Sequence, residues 1–347
     1  MNICLASYQS VMMLKGGPRT QILQTANGLK KLGVNISFFE TWQELDKSKI
    51  DLIHLFGANI GTYHLAREIS KVGIPMVVSP IFYSLHSGQF INTALFGDKF
   101  MRKIFRGFWS DYGILSDICT WSKMVLPNTR SESALLEDGL NVPASKLHVV
   151  PNGVDPRFQN GNGEMFRNRY GVDNYILNVG HIGPERKNVL RLIRAVEGLD
   201  IPTVIIGRIE NNSYGKICLE EAKSNPRILI LDSLPNDSDL LLSAYTACSC
   251  FVLPSLFETP GIAALEAGLA GAKIVITKHG GTSEYFGPHA EYIDPLSIGS
   301  IRRGILHALS EEKSSELKTH IQNEFLWDQV AQKTFNIYQQ LLSFKSL

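Results

Sequence analysis

Residues 250–268 read CFVLPSLFETPGIAALEAG, and this stretch decides how the fold is interpreted. It begins with four apolar residues that predict a buried strand, and Pro254 ends that strand. Thr259, Pro260 and Gly261 then open a helix, and Gly261 lets a ligand approach the backbone closely. The stretch is therefore a strand–loop–helix unit, the repeating element of α/β folds.

The same unit recurs on both sides of that stretch. A first series of predicted strands covers residues 2–7, 34–39, 51–56, 75–79 and 124–127, with helices that open at Pro18 or cover 63–72 and 131–138. A second series has strands at 175–179, 202–206, 228–231, 250–253 and 273–277, with helices at 189–196, 239–247, 261–270 and 301–309. Short apolar strands that alternate with helices predict parallel sheets covered on both faces.

A turn-rich break separates the two series. Residues 149–155 read VVPNGVD, and polar turn formers fill residues 156–171. We therefore predict two doubly wound α/β domains, residues 1–155 and 156–326. Ligands of such sheets bind at the carboxyl ends of the strands, so a cleft between the domains is the expected site.

The composition excludes several classes of protein. A chain of 347 residues with 44% hydrophobic and 19% charged residues suits two globular domains. A formal net charge of +1 argues against a nucleic-acid partner, whose binding domain would be strongly basic. The five scattered cysteines are interpreted as core residues of a reducing compartment. With no secretory signal and no membrane-spanning run, we predict a cytoplasmic protein.

Two glutamates flank the helix start in the opening stretch. A helix amino end carries unpaired N–H groups and partial positive charge, so the backbone at Gly261, Ile262 and Ala263 can cradle a phosphate. Glu258, before the helix, can accept hydrogen bonds from sugar hydroxyls, and Glu266, inside it, can hold a ribose diol. The alternative is an ordinary loop with two solvated glutamates.

A second segment, residues 180–188, reads GHIGPERKN after a predicted strand. It is a glycine turn that leads into a helix and carries Arg186 and Lys187, and lysine is a compact charge suited to a diphosphate. The alternative is a solvated basic loop.

Together these segments resemble the glycosyltransferases of family 4, also called group 1, which have the two-domain GT-B fold. The family's two glutamates with seven residues between them match Glu258 and Glu266, and its Gly-Arg…Lys pattern matches Gly180 and Lys187. Further matching features are spread over nearly the whole chain: Gly16-Gly17 after the first strand, VPNGVD at 150–155, Gly280-Gly281 with Glu284, and Trp327 opening a last helix.

The resemblance implies a retaining transfer of a hexose-type sugar from a nucleotide-diphosphate donor to a glycan or lipid-linked acceptor. It implies that the first domain binds the acceptor and the second the donor, with the last helix, about 327–347, packed back on the first. Neither a cofactor nor a metal is expected. Charge at the phosphate site would stabilise the departing nucleoside diphosphate, and domain closure would exclude water.

The resemblance also implies a role for each matching residue. Lys187 would hold the donor diphosphate, Glu258 the sugar hydroxyls near the reacting carbon, and Glu266 the ribose. Gly16 and Gly17 would let the first domain approach phosphates and acceptor. The remaining donor-binding residues expected are His181, Arg186, Thr259, Pro260, Gly261, Ile262 and Ala263.

The chain departs from the family at the position of His181, where the family usually has arginine. Arginine is always charged and grips phosphate bidentately, whereas histidine is partly protonated near neutral pH. Either Arg186 compensates, or donor binding is weaker and depends on pH.

Other polar groups have a structural interpretation. Many relatives carry a His-Asp pair after the strand at 75–79, and here the residues are SPIF. His86 is interpreted as a surface histidine and His54 as a core one. Asp237 and Asp239 resemble a metal-binding pair but lie where acids cap a helix, so no metal role is assigned.

Residues 96–109 interleave Lys99, Arg102, Lys103 and Arg106 with Phe100, Phe105, Phe108 and Trp109. A basic, aromatic helix can lie in a membrane surface, which would suit a lipid-linked acceptor and peripheral attachment to the inner face of a membrane. The alternative is a helix packed on the domain with a solvated basic face.

Two rival functions remain open: a sugar-nucleotide epimerase or hydrolase of the same fold, and a non-catalytic relative that binds a nucleotide sugar. The donor's base and sugar, the acceptor, the linkage and the oligomeric state are not readable from the sequence.

Overall fold

The computed structural model of the chain describes residues 1–13 and 16–343, which form two compact units. The first contains residues 1–153 together with the last helix, which begins at Trp327, and the second runs from Val154 to Leu326. The division falls inside VVPNGVD, just before the boundary expected after residue 155. Of the expected last helix, residues 344–347 lie outside the described residues, as do Leu14 and Lys15 before Gly16.

The described part of the first unit holds a five-stranded parallel sheet in the order β2-β1-β3-β4-β5. Its strands are β1 Asn2–Ser7, β2 Asn35–Phe38, β3 Leu52–Phe56, β4 Met76–Ser79 and β5 Met124–Val125. Its helices are α1 Gly17–Lys31, α2 Ile60–Val72, α3 Gly88–Ile104, α4 Asp111–Trp121, α5 Arg130–Ala134 and α14 Trp327–Ser343. α14 packs on α1 so closely that a side chain at Gly28 would collide with Ala331.

The described residues of the second unit form a six-stranded parallel sheet in the order β11-β10-β9-β6-β7-β8. Its strands are β6 Ile176–Val179, β7 Thr203–Ile206, β8 Ile228–Leu231, β9 Cys250–Leu253, β10 Lys273–Thr277 and β11 Ala290–Ile293. Its helices are α6 Glu164–Tyr170, α7 Val189–Ala195, α8 Ser213–Lys223, α9 Asp239–Ala247, α10 Ile262–Leu269, α11 Thr282–Phe286, α12 Ile298–Ser310 and α13 Glu316–Glu324. The prediction of two doubly wound, Rossmann-like α/β units, as in the GT-B fold, is confirmed.

Several local predictions were wrong or incomplete. Residues 156–171, expected to be turns, contain α6, which is anchored by the fully buried Phe166. The helix expected at 131–138 is α5 followed by a π-helical turn, Leu135–Gly139. The basic stretch 96–109 is helical only as far as Ile104, where α3 ends.

All five cysteines are buried and unpaired, as predicted. Burial raises the pKa of Cys119 and of Cys250 to about 12, so these thiols stay protonated and unreactive. Over residues 1–13 and 16–343, no helix is long and apolar enough to cross a membrane.

Candidate functional site

In the second sheet, the order of the strands reverses direction between β6 and β9. These strands are paired neighbours, with Ile176 opposite Cys250, but the chain continues from them toward opposite edges of the sheet. The loops that leave such a pair diverge and open a crevice at the carboxyl ends, where doubly wound sheets bind ligands. Lys187 follows β6 and Glu258 follows β9, so the topology brings the two predicted segments together.

The turn after β6 is fixed by Asn188, which sequence reasoning did not single out. Asn188 has a left-handed backbone, with φ +58°, a conformation that asparagine tolerates better than most residues. Its buried side-chain amide donates to the carbonyl oxygens of Pro254, at 2.8 Å, and Pro295, at 2.7 Å. Asn188 therefore ties the Lys187 turn to the loops that follow β9 and β11.

Lys187 and Glu258 form a direct ion pair. Lys187 Nζ lies 2.6 Å from Glu258 Oε1, and Arg186 Nη1 lies 3.5 Å from the same oxygen. Arg186 also donates to the Phe257 carbonyl at 3.0 Å and lies over the Phe257 ring. Lys187 and Glu258 are mostly buried, whereas about two fifths of the Arg186 side chain is exposed.

The charge state of Glu258 follows from these neighbours. Burial acts to raise the pKa of Glu258, but the charges of Lys187 and Arg186, together with hydrogen bonding that includes the bond from Lys187, outweigh it and hold that pKa below its usual value. Glu258 is therefore an ionised carboxylate at neutral pH, able to accept hydrogen bonds from hydroxyl groups.

The backbone of Glu258 is held by the glycine pair after β10. Glu258 N donates to His279 O at 3.1 Å, and Gly281 N donates to Glu258 O at 3.0 Å. Gly280 has φ +102°, and a Cβ there would collide with the Glu258 carbonyl oxygen. The sequence analysis gave Gly280-Gly281 as typical of the family. The structure shows that both glycines contact the backbone of Glu258.

The start of α10 lies directly beyond Thr259, which is half-buried, and Pro260, which is buried. Gly261 caps the helix in the left-handed region, with φ +71°, and a Cβ there would come within 3.0 Å of Leu253 Cδ2. The first N–H groups of a helix have no partner within it, so Ile262 and Ala263 supply donors and partial positive charge at this end.

Glu266 faces a different neighbour from Glu258. It is buried on α10, and the hydroxyl of Tyr245 on α9 donates to its Oε2 at 2.8 Å. Burial raises the pKa of Glu266 to about 7, although the hydrogen bonds from Tyr245 and Asn236 and the charge of Arg157 oppose that shift. Glu266 is thus a carboxyl that changes charge near neutral pH.

His181 lies on the turn after β6, beside the loop after β7. The parallel pairing of β6 and β7 resumes at Ile182 and Ile209, which brings His181 Nδ1 to 3.8 Å from Glu210 Oε1. About a third of the His181 side chain is exposed. Arg186, which under one of the two alternatives compensates for the missing arginine, contacts Glu258 and Phe257.

The acids at 237 and 239 belong to a helix start, as predicted. Ser238 between them caps α9 by accepting from Leu241 N at 3.2 Å. In the described ranges no group of three or more His, Cys, Asp or Glu side chains is placed to hold a metal ion.

The histidines of the first unit also have structural partners. His54 is buried between the hydroxyls of Tyr338 and Ser79, and burial lowers its pKa to about 3, which confirms a neutral core histidine. His86 is exposed and bonds Tyr112 Oη at 3.0 Å. Gly16 is exposed and caps α1, and Gly17 is the first residue of that helix.

Comparisons with known proteins show which family the chain matches. Residues 165–325 match the family described as Glycosyl transferases group 1, and residues 28–158 match Glycosyltransferase Family 4. An uncharacterized glycosyltransferase of Methanocaldococcus jannaschii is 28% identical over 218 residues, which are 57% of this chain and 55% of that relative. MMP α-(1→4)-mannosyltransferase of Mycolicibacterium hassiacum is 25% identical over 296 residues, 80% of this chain and 68% of the relative.

A solved structure shares the fold. The crystal structure of Anabaena HepE in complex with UDP-glucose matches with a TM-score of 0.70 at 17% identity, covering 100% of each chain. The chain thus shares its fold along its whole length with HepE, whereas it spans little more than half of the Methanocaldococcus relative.

Proposed function

The chain belongs to the group 1 glycosyltransferases of family 4, and from that premise we propose that it transfers a hexose-type sugar from a nucleoside diphosphate donor to a glycan or lipid-linked acceptor. The observation that carries this proposal is the Lys187–Glu258 ion pair at the crevice between β6 and β9. The pair places a cation that can bind phosphate 2.6 Å from a carboxylate that can accept hydrogen bonds from sugar hydroxyls.

The donor would bind across this crevice. Lys187 would neutralise the diphosphate, together with the N–H groups of Ile262 and Ala263 at the start of α10. Glu258 would then accept from the hydroxyls of the donor sugar, and Glu266 would hold the ribose. The UDP-glucose bound to HepE supports a nucleoside diphosphate hexose as the class of donor.

The charges of Lys187 and Glu258 would also promote the transfer reaction. As the bond between the sugar and the diphosphate breaks, negative charge grows on the leaving phosphate, and Lys187 is placed to stabilise it. Glu258, kept ionised by its cations, fixes the sugar close to the reacting carbon. We propose that the anomeric configuration is retained and that no metal is needed.

The acceptor would bind the first unit. The α-(1→4) linkage named for the Mycolicibacterium mannosyltransferase supports a carbohydrate acceptor. A peripheral contact of residues 96–109 with a membrane would suit a lipid-linked one, in a protein that we predict to be cytoplasmic.

A thermal-shift screen against a panel of nucleoside diphosphate sugars tests the donor site. A ligand that binds only the folded state stabilises it by about 2.7 kcal/mol at a hundred times its Kd. We expect one donor to raise the Tm of the native chain and the Lys187→Ala variant to lose most of that shift, each measured against its own ligand-free Tm.

The matched control is Lys216→Ala, which removes an exposed lysine from α8 in the same unit. It should keep the full shift. A panel without any stabilising donor, or equal shifts in the native and Lys187→Ala proteins, would contradict the proposed site.

A further inference from the structure

The outer face of α3 exposes large apolar side chains to solvent. Phe96, Phe100 and Ile104 are 75%, 57% and 55% exposed, and they recur every fourth residue. Residues at that spacing lie in one row on a helix, so the three form a continuous stripe. Phe105 and Trp109, also about half exposed, follow the end of the helix, and the Trp109 ring packs against Tyr63 and Arg102.

The opposite face of α3 packs against the rest of the first unit. Ile91, Leu95 and Asp98 are buried against the first unit. Arg102 joins this face, with its Nε 2.7 Å from Asp98 Oδ2 and its Nη1 2.6 Å from Asp117 Oδ2. The stripe is therefore separate from the packing surface: α3 packs on the domain but leaves an apolar row outside.

The charges beside the stripe are positive. Lys99 and Lys103 are exposed and follow Phe96 and Phe100 by three residues, which places them in a neighbouring row, and Arg106 is exposed just past the helix. Between residues 85 and 109 the one acidic residue is the buried Asp98.

Acids on the neighbouring elements do not cancel this charge. Asp111, exposed at the first turn of α4, is a single negative charge against three exposed cations. Glu137 and Asp138 are exposed, but Asp138 lies against Gly88 at the other end of α3. Eleven residues of helix separate Gly88 from Lys99, about 16 Å at 1.5 Å per residue.

We propose that this surface, formed by Phe96, Phe100, Ile104, Phe105 and Trp109 with Lys99, Lys103 and Arg106, docks the enzyme on an anionic lipid bilayer. An amphipathic helix binds a membrane by burying its apolar row among the lipid headgroups while its basic residues meet anionic lipids. A symmetric dimer through this surface is disfavoured, since two such surfaces would oppose three cations to three cations. The docking deepens the proposed function, because it would bring the first unit to a lipid-linked acceptor.

Co-sedimentation of the full chain with vesicles tests the docking. We expect binding to phosphatidylcholine vesicles that contain phosphatidylglycerol, weaker binding to phosphatidylcholine alone, and loss of binding at high salt. Lys99→Ala with Lys103→Ala should weaken binding by about fivefold per lysine, and Phe96→Ser with Phe100→Ser should weaken it at least as much. The substituted side chains are exposed, so the fold should survive.

Two matched controls remove similar groups elsewhere. Lys216→Ala with Lys223→Ala takes two exposed lysines from α8, and Trp42→Ser takes an aromatic ring that is 95% exposed. Both should bind vesicles as the native chain does. Brominated lipids should quench tryptophan fluorescence in the native chain and much less in Trp109→Phe.

Three results would overturn the docking proposal: no sedimentation with anionic vesicles at low salt, equal binding by native and substituted chains, or a dimer in the absence of lipid that Phe96→Ser with Phe100→Ser abolishes. None of these measurements involves a sugar donor. A failure here is therefore distinguishable from a failure of the donor site, which the thermal-shift screen reports separately.

Discussion

Replacing Glu266 by glutamine should make the second unit more stable at alkaline pH and change little at acid pH. Glu266 is buried beside Tyr245, and its pKa rises from 4.5 to about 7 in the folded chain. The folded state therefore holds this proton more tightly than the unfolded state does. Ionisation favours unfolding, so stability falls as pH rises from about 4.5 to about 7 and then levels off.

The magnitude follows from the size of the shift. A tenfold change in proton affinity is worth about 1.4 kcal/mol, so a change from 4.5 to about 7 costs about 3 kcal/mol once the carboxyl is ionised in both states. Glutamine has nearly the same shape and never ionises, and it can still accept from Tyr245. It should avoid that cost and be about 3 kcal/mol more stable than the native chain at about pH 8, and less than about 1 kcal/mol more stable at about pH 5.

Urea unfolding followed by far-UV circular dichroism at the two pH values measures this difference. All four tryptophans (Trp42, Trp109, Trp121 and Trp327) belong to the first unit, so tryptophan fluorescence reports that unit separately. Glu220→Gln, at an exposed position of α8, is the matched control and should show no pH-dependent difference. The reasoning is refuted if Glu266→Gln differs from the native chain by the same amount at both pH values, or is less stable at the higher one.

Two further substitutions test the loops around the site. Gly280→Ala should destabilise the second unit by more than about 1 kcal/mol, because alanine is strained at a positive φ and its methyl group would collide with the Glu258 carbonyl. Equal urea midpoints for the native and Gly280→Ala proteins would contradict this close contact. His181→Arg should flatten the dependence of the rate on pH, because arginine stays charged. Coinciding profiles would exclude a role for His181 charge in donor binding.

Strong local signals made much of the fold predictable. β9 was predicted to the residue, because a four-residue apolar run ends at Pro254, and α9 was found because its apolar periodicity starts after the cap at Ser238. Two of the helices that were missed, α6 and α13, have few buried residues. In α6 only Phe166 is buried, and in α13 only Leu317 and Ile321 are, so neither has a periodic apolar face.

The sequence selected candidate site residues but did not predict their contacts. Motif spacing selected Lys187 and Glu258, but their ion pair joins residues 71 positions apart and depends on the strand order of the sheet. For the same reason the roles of Asn188 and Gly280 became visible only in the folded chain. Tyr245, the partner of Glu266, carried no motif, since its hydroxyl reaches the carboxyl across two packed helices.

Product analysis with the donor found by the thermal-shift screen tests the central claim most directly. The native chain, given that donor and a mixture of glycan and lipid-linked acceptors, should release nucleoside diphosphate in step with a glycoside of retained anomeric configuration. Glu258→Ala should form little of that product. An epimerised or merely hydrolysed donor, or a Glu258→Ala variant as active as the native chain, would contradict sugar transfer at the Lys187–Glu258 site.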